Sequence, residues 1–159
     1  MSDNVYLGNP NLKKANTPIE FTQEQIYEFM RCREDPVYFA NNYIKIVSLD
    51  EGLTQFHPYH FQEKLINNFH ENRFNICKMP RQTGKSTTVV SYLLHYAVFN
   101  DSVNIGILAN KAATARELLG RLQTAYENLP KWMQQGIIAW NKGSLELENG
   151  SKILAASTS

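Results

Sequence analysis

Residues 74–99 read FNICKMPRQTGKSTTVVSYLLHYAVF, and the change of period inside this stretch decides the fold. Its first five residues, 74–78, are a short and mostly apolar run that reads as a strand, closed by Pro80. Residues 84–99 carry apolar side chains at helical length and read as a helix. The loop between them ends in glycine, lysine and a hydroxyl residue. Strand, loop and helix in this order bring the loop's backbone N–H groups to the positive end of the helix, a preformed cradle for a phosphate chain. Gly84 lets the backbone approach closely, Lys85 supplies a point charge for β- and γ-phosphates, and Ser86 offers a hydroxyl to Mg²⁺. The pattern G-x-x-x-x-G-K-[ST] has glycine where Met79 stands, so the strict match fails at one position. A Gly-Lys-Ser triplet alone also fits an ordinary strand-to-helix turn, and it is the flanking strand and helix that favour phosphate. Thr87 and Thr88 either cap the helix or face solvent. Arg81 either braces a γ-phosphate in the transition state or pairs with a nearby carboxylate, and its position alone does not choose.

Working outward, residues 104–109 (NIGILA) lack polar alternation, as strands of parallel sheets do. A helix follows over 112–128 and stops before Pro130. Ile137, Ile138 and Trp140 lead to Leu145 and Leu147, then Asn149-Gly150, then Ile153 and Leu154, which reads as a β-hairpin with Glu146 and Glu148 on its solvent face. Upstream, Thr22 starts a helix with Ile26, Phe29, Met30 and Arg33 on one face. Pro36 opens a second, with Val37, Phe39, Ala40 and Tyr43 as its apolar positions. A third, over 59–68, carries Phe61, Leu65, Ile66 and Phe69 inward. Residues 1–20 read as an extended arm on the surface, whose basic pair Lys13-Lys14 is either solvated or a phosphate or partner contact. Residues 21–159 read as one α/β unit: part of a P-loop NTPase domain with a predominantly parallel sheet, an N-terminal helical layer and a C-terminal β-hairpin.

Composition narrows the function classes. The 159 residues are 43% hydrophobic, enough for one core, and 16 Lys and Arg against 15 Asp and Glu leave a net charge of +1. No global field draws in nucleic acid, so any DNA contact is a local patch. Cys32 and Cys77 lack the paired spacing of a zinc site or disulfide framework and read as reduced core thiols. His57, His60, His70 and His95 have no completing ligand set and read as structural. No segment reaches the ~18 uninterrupted apolar residues of a membrane span.

The segment FHPYHFQEKL, at 56–65, adds a possible base reader. The Gln62 amide can pair with N6 and N7 of adenine while Phe61 stacks on the ring; otherwise Gln62 is merely a helix residue.

The aromatic-glutamine segment, MPRQTGKST at 79–87 and WNKGSLELENGS at 140–151 together resemble the large terminase subunit of T4-like tailed bacteriophages, and the likeness begins with YLGNPNLKKAN at 6–16. The family's loop also has arginine and glutamine before its glycine, here Arg81-Gln82, and also lacks the first glycine. The resemblance implies an ATPase that drives double-stranded DNA into a prohead through a portal, joined to a nuclease that cuts the concatemer. It implies ATP and Mg²⁺ as cofactors, with Phe61, Gln62, Pro80, Arg81, Gln82, Thr83, Gly84, Lys85, Ser86 and Thr87 binding nucleotide, Ser86 facing the metal, and Arg81 and Lys85 catalytic. Partners implied are DNA, the portal protein and the small terminase subunit, with a homo-oligomeric ring on the prohead and no membrane. The expected place of action is the cytoplasm of the infected bacterial host, outside the mature virion. One departure is Phe61, where the family usually has tyrosine or tryptophan.

Hydrolysis also needs an acidic residue to hold Mg²⁺ and a carboxylate to orient the attacking water. Nothing after Lys85 fits, and the one mimic, IKIVSLDE at 44–51 with Asp50-Glu51, precedes the loop and is equally a strand followed by a turn. The expectation is a fragment ending before its Walker B strand and without a nuclease domain, binding ATP weakly and hydrolysing it negligibly. Alternatives are a helicase or restriction-type translocase fragment, and a nucleotide-binding module that never hydrolyses.

Overall fold

A computed structural model describes residues 4–158; Met1–Asp3 and Ser159 of the expected arm and C-terminal unit lie outside the described residues. At the centre is a four-stranded sheet of β5 (Asn104–Ala109), β8 (Lys152–Ser157), β7 (Ser144–Leu147) and β6 (Ile137–Trp140), in that spatial order. β5 and β8 run parallel with Ile105 opposite Ile153, whereas β8–β7 and β7–β6 are antiparallel. The sheet is therefore mixed, which corrects the expectation of a predominantly parallel one. Short turns after β6 and β7 permit only antiparallel neighbours, and only the long route from β5 to β8 allows a parallel pair. Asn149-Gly150 makes the second turn, with Gly150 at φ +84° and its N–H donating to Leu147 O at 3.0 Å.

Leu145, Leu147 and Ile153 are buried, and α5 (Ala112–Glu127) packs on β5 and β8, burying Leu119, Leu122, Ala125 and Tyr126. Next comes α4 (Lys85–Phe99), whose Val90, Leu94, Ala97 and Val98 are buried. Beyond it lie α1 (Gln23–Glu34), α2 (Pro36–Tyr43) and α3 (His60–Glu71), the expected helical layer. Thr22 and Gln25 form a reciprocal capping box at the start of α1, and Asp35 accepts from Val37 N and Tyr38 N above Pro36.

Two helices bury only part of the face expected to point inward: Phe29 of α1 and Ile66 of α3 pack inward as read, and their companions do not all follow. In α1 the contact runs through Phe29, edge-on to Phe99 at 5.0 Å, and through buried Cys32, while Ile26 and Met30 are exposed. In α3 the buried residues are Gln62 and Ile66, and Phe61 faces outward.

Residues 74–78 pair with no strand among the described residues, which corrects the strand reading. Phe74 and Ile76 are exposed, as is Cys77, so of the two expected core thiols only Cys32 is buried. The run lies across a cavity of about 720 Å³ from β5, with Tyr92, Leu93 and Ile105 among the residues lining it. An apolar pattern makes a strand only where a neighbour takes its backbone hydrogen bonds, and here none does.

The N-terminal segment is less superficial than expected. β1 (Val5–Tyr6) and β2 (Asn9–Lys13) form an antiparallel pair, and Leu12 is 2% exposed. Lys13, read as solvated or as a phosphate or partner contact, is buried and reaches Glu148 Oε1 at 3.4 Å. Glu148 also accepts from Asn16 N at 2.7 Å and Gly136 N at 2.8 Å, so it is not the free surface charge its alternation suggested. Gln134 completes the seam, donating to Asn11 O at 3.0 Å and accepting from Lys13 N at 3.1 Å. Burial alone would raise the Glu148 pKa, but the two backbone donors and Lys13 outweigh it and hold the carboxyl below its ordinary value.

Candidate nucleotide site

The loop before α4 has a backbone suited to anions. Gln82 at φ +61° and Gly84 at φ +68° both lie in the left-handed region, with Thr83 between them. Left-handed residues just before a helix of 15 residues are the kind of backbone from which anion-binding N–H concavities are built. Gly84 is required twice over. Its φ disfavours any L side chain, and a Cβ there would collide with Gln62 Nε2. The loop is braced internally by Thr83 Oγ1 donating to Pro80 O at 3.0 Å. Thr88 is fully buried and donates from Oγ1 to Gly84 O at 2.8 Å, which makes it a brace on the first turn of α4.

Lys85 is exposed and lies over the loop, its Nζ donating to Met79 O at 3.4 Å. That contact is long for a charged donor, so the ammonium keeps most of its capacity for another acceptor. Arg81 is exposed and forms no ion pair among the described residues. Ser86 and Thr87 are half-buried on the first turn of α4. Thr87 also borders a cavity of about 420 Å³ bounded by Ile46, Val47 and Arg121.

Gln62 joins α3 to this loop. Its Nε2 donates to Thr83 O at 3.2 Å and its Oε1 accepts from Tyr59 N at 2.8 Å, so one N–H and one oxygen lone pair stay uncommitted. The residue is 3% exposed. The structure thus ties Gln62 to the loop of residues 80–87 through Thr83, whereas the half-exposed Phe61 ring rests on Tyr59. The structure does not bring a carboxylate to the loop: no Asp or Glu among the described residues hydrogen-bonds or pairs with residues 79–88. Asp50 and Glu51 sit in the exposed turn between β3 (Lys45–Ser48) and β4 (Gly52–Gln55), an antiparallel hairpin.

On the opposite side of α4, His95 is 2% exposed and its Nε2 lies 2.8 Å from Cys32 O. Burial lowers its pKa to about 4, against the smaller upward pull of that carbonyl, so the ring is neutral. Cys32 is pushed up to about 12, chiefly by burial, and is an inert thiol. The sequence reading gave Tyr59 no role, although its ring stacks on Phe61 at 5.9 Å. The signal was an aromatic two residues before the aromatic-glutamine pair.

A left-handed loop opening a long helix, with a lysine at its first turn, defines a candidate phosphate-binding α/β protein. Residues 76–159 match the family model described as terminase large subunit, T4likevirus-type, N-terminal, and the chain belongs to that family. The family's role is viral DNA packaging in the infected host cell, and it implies an ATPase in the full-length protein. No helix among the described residues is long and apolar enough to cross a membrane.

Proposed function

We propose that this chain is the nucleotide-binding portion of a DNA-packaging motor, taking ATP with Mg²⁺ at residues 80–87 to drive double-stranded DNA into a prohead. The observation that carries the reading is the pairing of left-handed Gln82 and Gly84 with an exposed Lys85 at the N-terminus of α4. In this reading the N–H groups of residues 82–86 and the helix terminus hold the phosphates, and Lys85 swings from Met79 O to the β- and γ-oxygens. Ser86 faces the metal, and Thr83 and Thr87 border the phosphate path. Arg81, unpaired among the described ion pairs, is available to a γ-phosphate whose charge grows in the transition state. The free N–H and lone pair of Gln62 match N7 and N6 of adenine, with Phe61 beside them. The fit concerns binding. With no carboxylate at the loop, these residues hold and orient a triphosphate but supply no base for the attacking water. The portal protein, the small subunit and a ring of copies on the prohead are the partners this function requires.

Titrating ATP–Mg²⁺ into the wild-type chain and Gln62→Ala tests the base assignment. A several-fold loss in the variant is expected; equal affinities would remove Gln62 from the base site. Hydrolysis by the purified chain is expected to be negligible, and turnover abolished by Lys85→Ala would contradict the absence of a catalytic carboxylate.

A further inference from the structure

Gln62 is 3% exposed and its amide is tied to Tyr59 on one side and Thr83 on the other, which leaves one N–H and one lone pair at most for a base edge and no surface for a base to lie on. What is exposed beside it is aromatic. Tyr59 is 71% exposed and Phe61 46% exposed, and their rings stack with centroids 5.9 Å apart and planes 12° apart. Near-parallel rings at that separation are offset, and each keeps an outer π-face. The Tyr59 face is the more open of the two.

Tyr59 is also the better fixed. It precedes α3, and its N–H is held by Gln62 Oε1 at 2.8 Å while its carbonyl accepts from Gln62 N at 2.9 Å and Glu63 N at 3.0 Å. Through the same Gln62 amide the backbone of Tyr59 is tied to Thr83 in the loop. An ordered, exposed two-ring stack one side chain from a phosphate loop is a preorganised platform for a flat ligand.

Resting on the nucleotide reading above, we propose that Tyr59 is a base-stacking residue: the nucleobase lies on the outer face of Tyr59, adding a layer to the Tyr59–Phe61 stack, with Gln62 positioning that ring against the loop. The part of the affinity that Tyr59 supplies is then indifferent to the exocyclic groups of the base, because every base has a π-face. It is equal for ATP and GTP. A part supplied by the Gln62 amide at the base edge is not.

ATP, GTP and inorganic tripolyphosphate, each with Mg²⁺, are titrated into the wild-type chain, Tyr59→Ala and Tyr59→Phe, with circular dichroism to check folding. Tyr59→Ala is expected to weaken ATP and GTP alike by about tenfold and to leave tripolyphosphate unchanged, and Tyr59→Phe to behave as wild type. Unchanged ATP affinity in Tyr59→Ala, with ATP still tighter than tripolyphosphate in the wild type, overturns the assignment and leaves the loop reading standing. Loss in Tyr59→Phe as well overturns it too, assigning the effect to the hydroxyl. A parallel loss of tripolyphosphate in Tyr59→Ala shows a displaced loop rather than a lost stack, which also counts against it. A wild-type chain that binds neither ATP nor tripolyphosphate removes the loop reading and this inference together.

Discussion

At the scale of single residues, two positions carry sharp expectations. Gly84→Ala must place a Cβ against Gln62 Nε2 at a backbone φ of +68°. A loss of about 1–2 kcal/mol is expected from the left-handed conformation alone. Gly106→Ala, where a Cβ meets nothing within 4 Å, is the control and should cost far less. Urea unfolding of the two variants makes the comparison, and equal losses would refute the crowding at residue 84. His95 gives a pH dependence. It titrates at about 4 in the folded chain against 6.5 for an unperturbed imidazole, so the unfolded chain binds the proton first. Stability is therefore constant above about pH 6.5 and falls as pH drops toward 4, by about 3 kcal/mol from this residue. His95→Phe should flatten that part of the stability profile. An unchanged slope between pH 6.5 and 4 would show that other groups set it.

At the scale of elements, what was legible in the sequence is what depends on local rules. The Thr22 box, the Pro36 start, the 15-residue α4 and the Asn149-Gly150 turn formed as read, because caps and turns are decided within a few residues. What was not legible depends on neighbours. Ile26 and Met30 share a helical face with Phe29, yet which part of the stripe is buried was settled by where α2 and Phe99 stand. The loop residues 80–87 and Gln62 were candidates from sequence, whereas the tie from Gln62 to Thr83 was not legible there, since nothing local connects α3 to the loop. Residues 74–78 have the composition of a strand but no ladder, leaving Phe74 and Ile76 in water. An exposed apolar run opposite an open strand edge favours association between copies. Ile76→Lys is expected to lower self-association in sedimentation velocity with no loss of melting temperature. A melting temperature lowered by several degrees would mean that Ile76 is packed.

At the scale of the whole molecule, the N-terminal segment is part of the fold. Leu12, Lys13, Gln134 and Glu148 stitch β2 to the far side of the sheet across more than a hundred residues of sequence, a contact that no periodicity announces. Glu148→Gln removes the carboxylate that faces Lys13 and two backbone N–H groups, and a loss of about 2–3 kcal/mol in urea unfolding is expected. A change below about 0.5 kcal/mol would reduce the seam to a surface contact. The seam holds the sheet on which α5 packs, α4 packs on α5, and the loop of residues 80–87 leads into the first turn of α4. The proposed motor function depends on this loop binding the phosphates of ATP. Calorimetric titration of ATP–Mg²⁺ into the wild-type chain and Lys85→Ala tests it most directly. A saturable wild-type isotherm weakened by about 10–100-fold in Lys85→Ala is predicted, in keeping with the loss of a charge-assisted contact of about 1.5–3 kcal/mol. Identical isotherms for the two proteins, or none for the wild type, would contradict it.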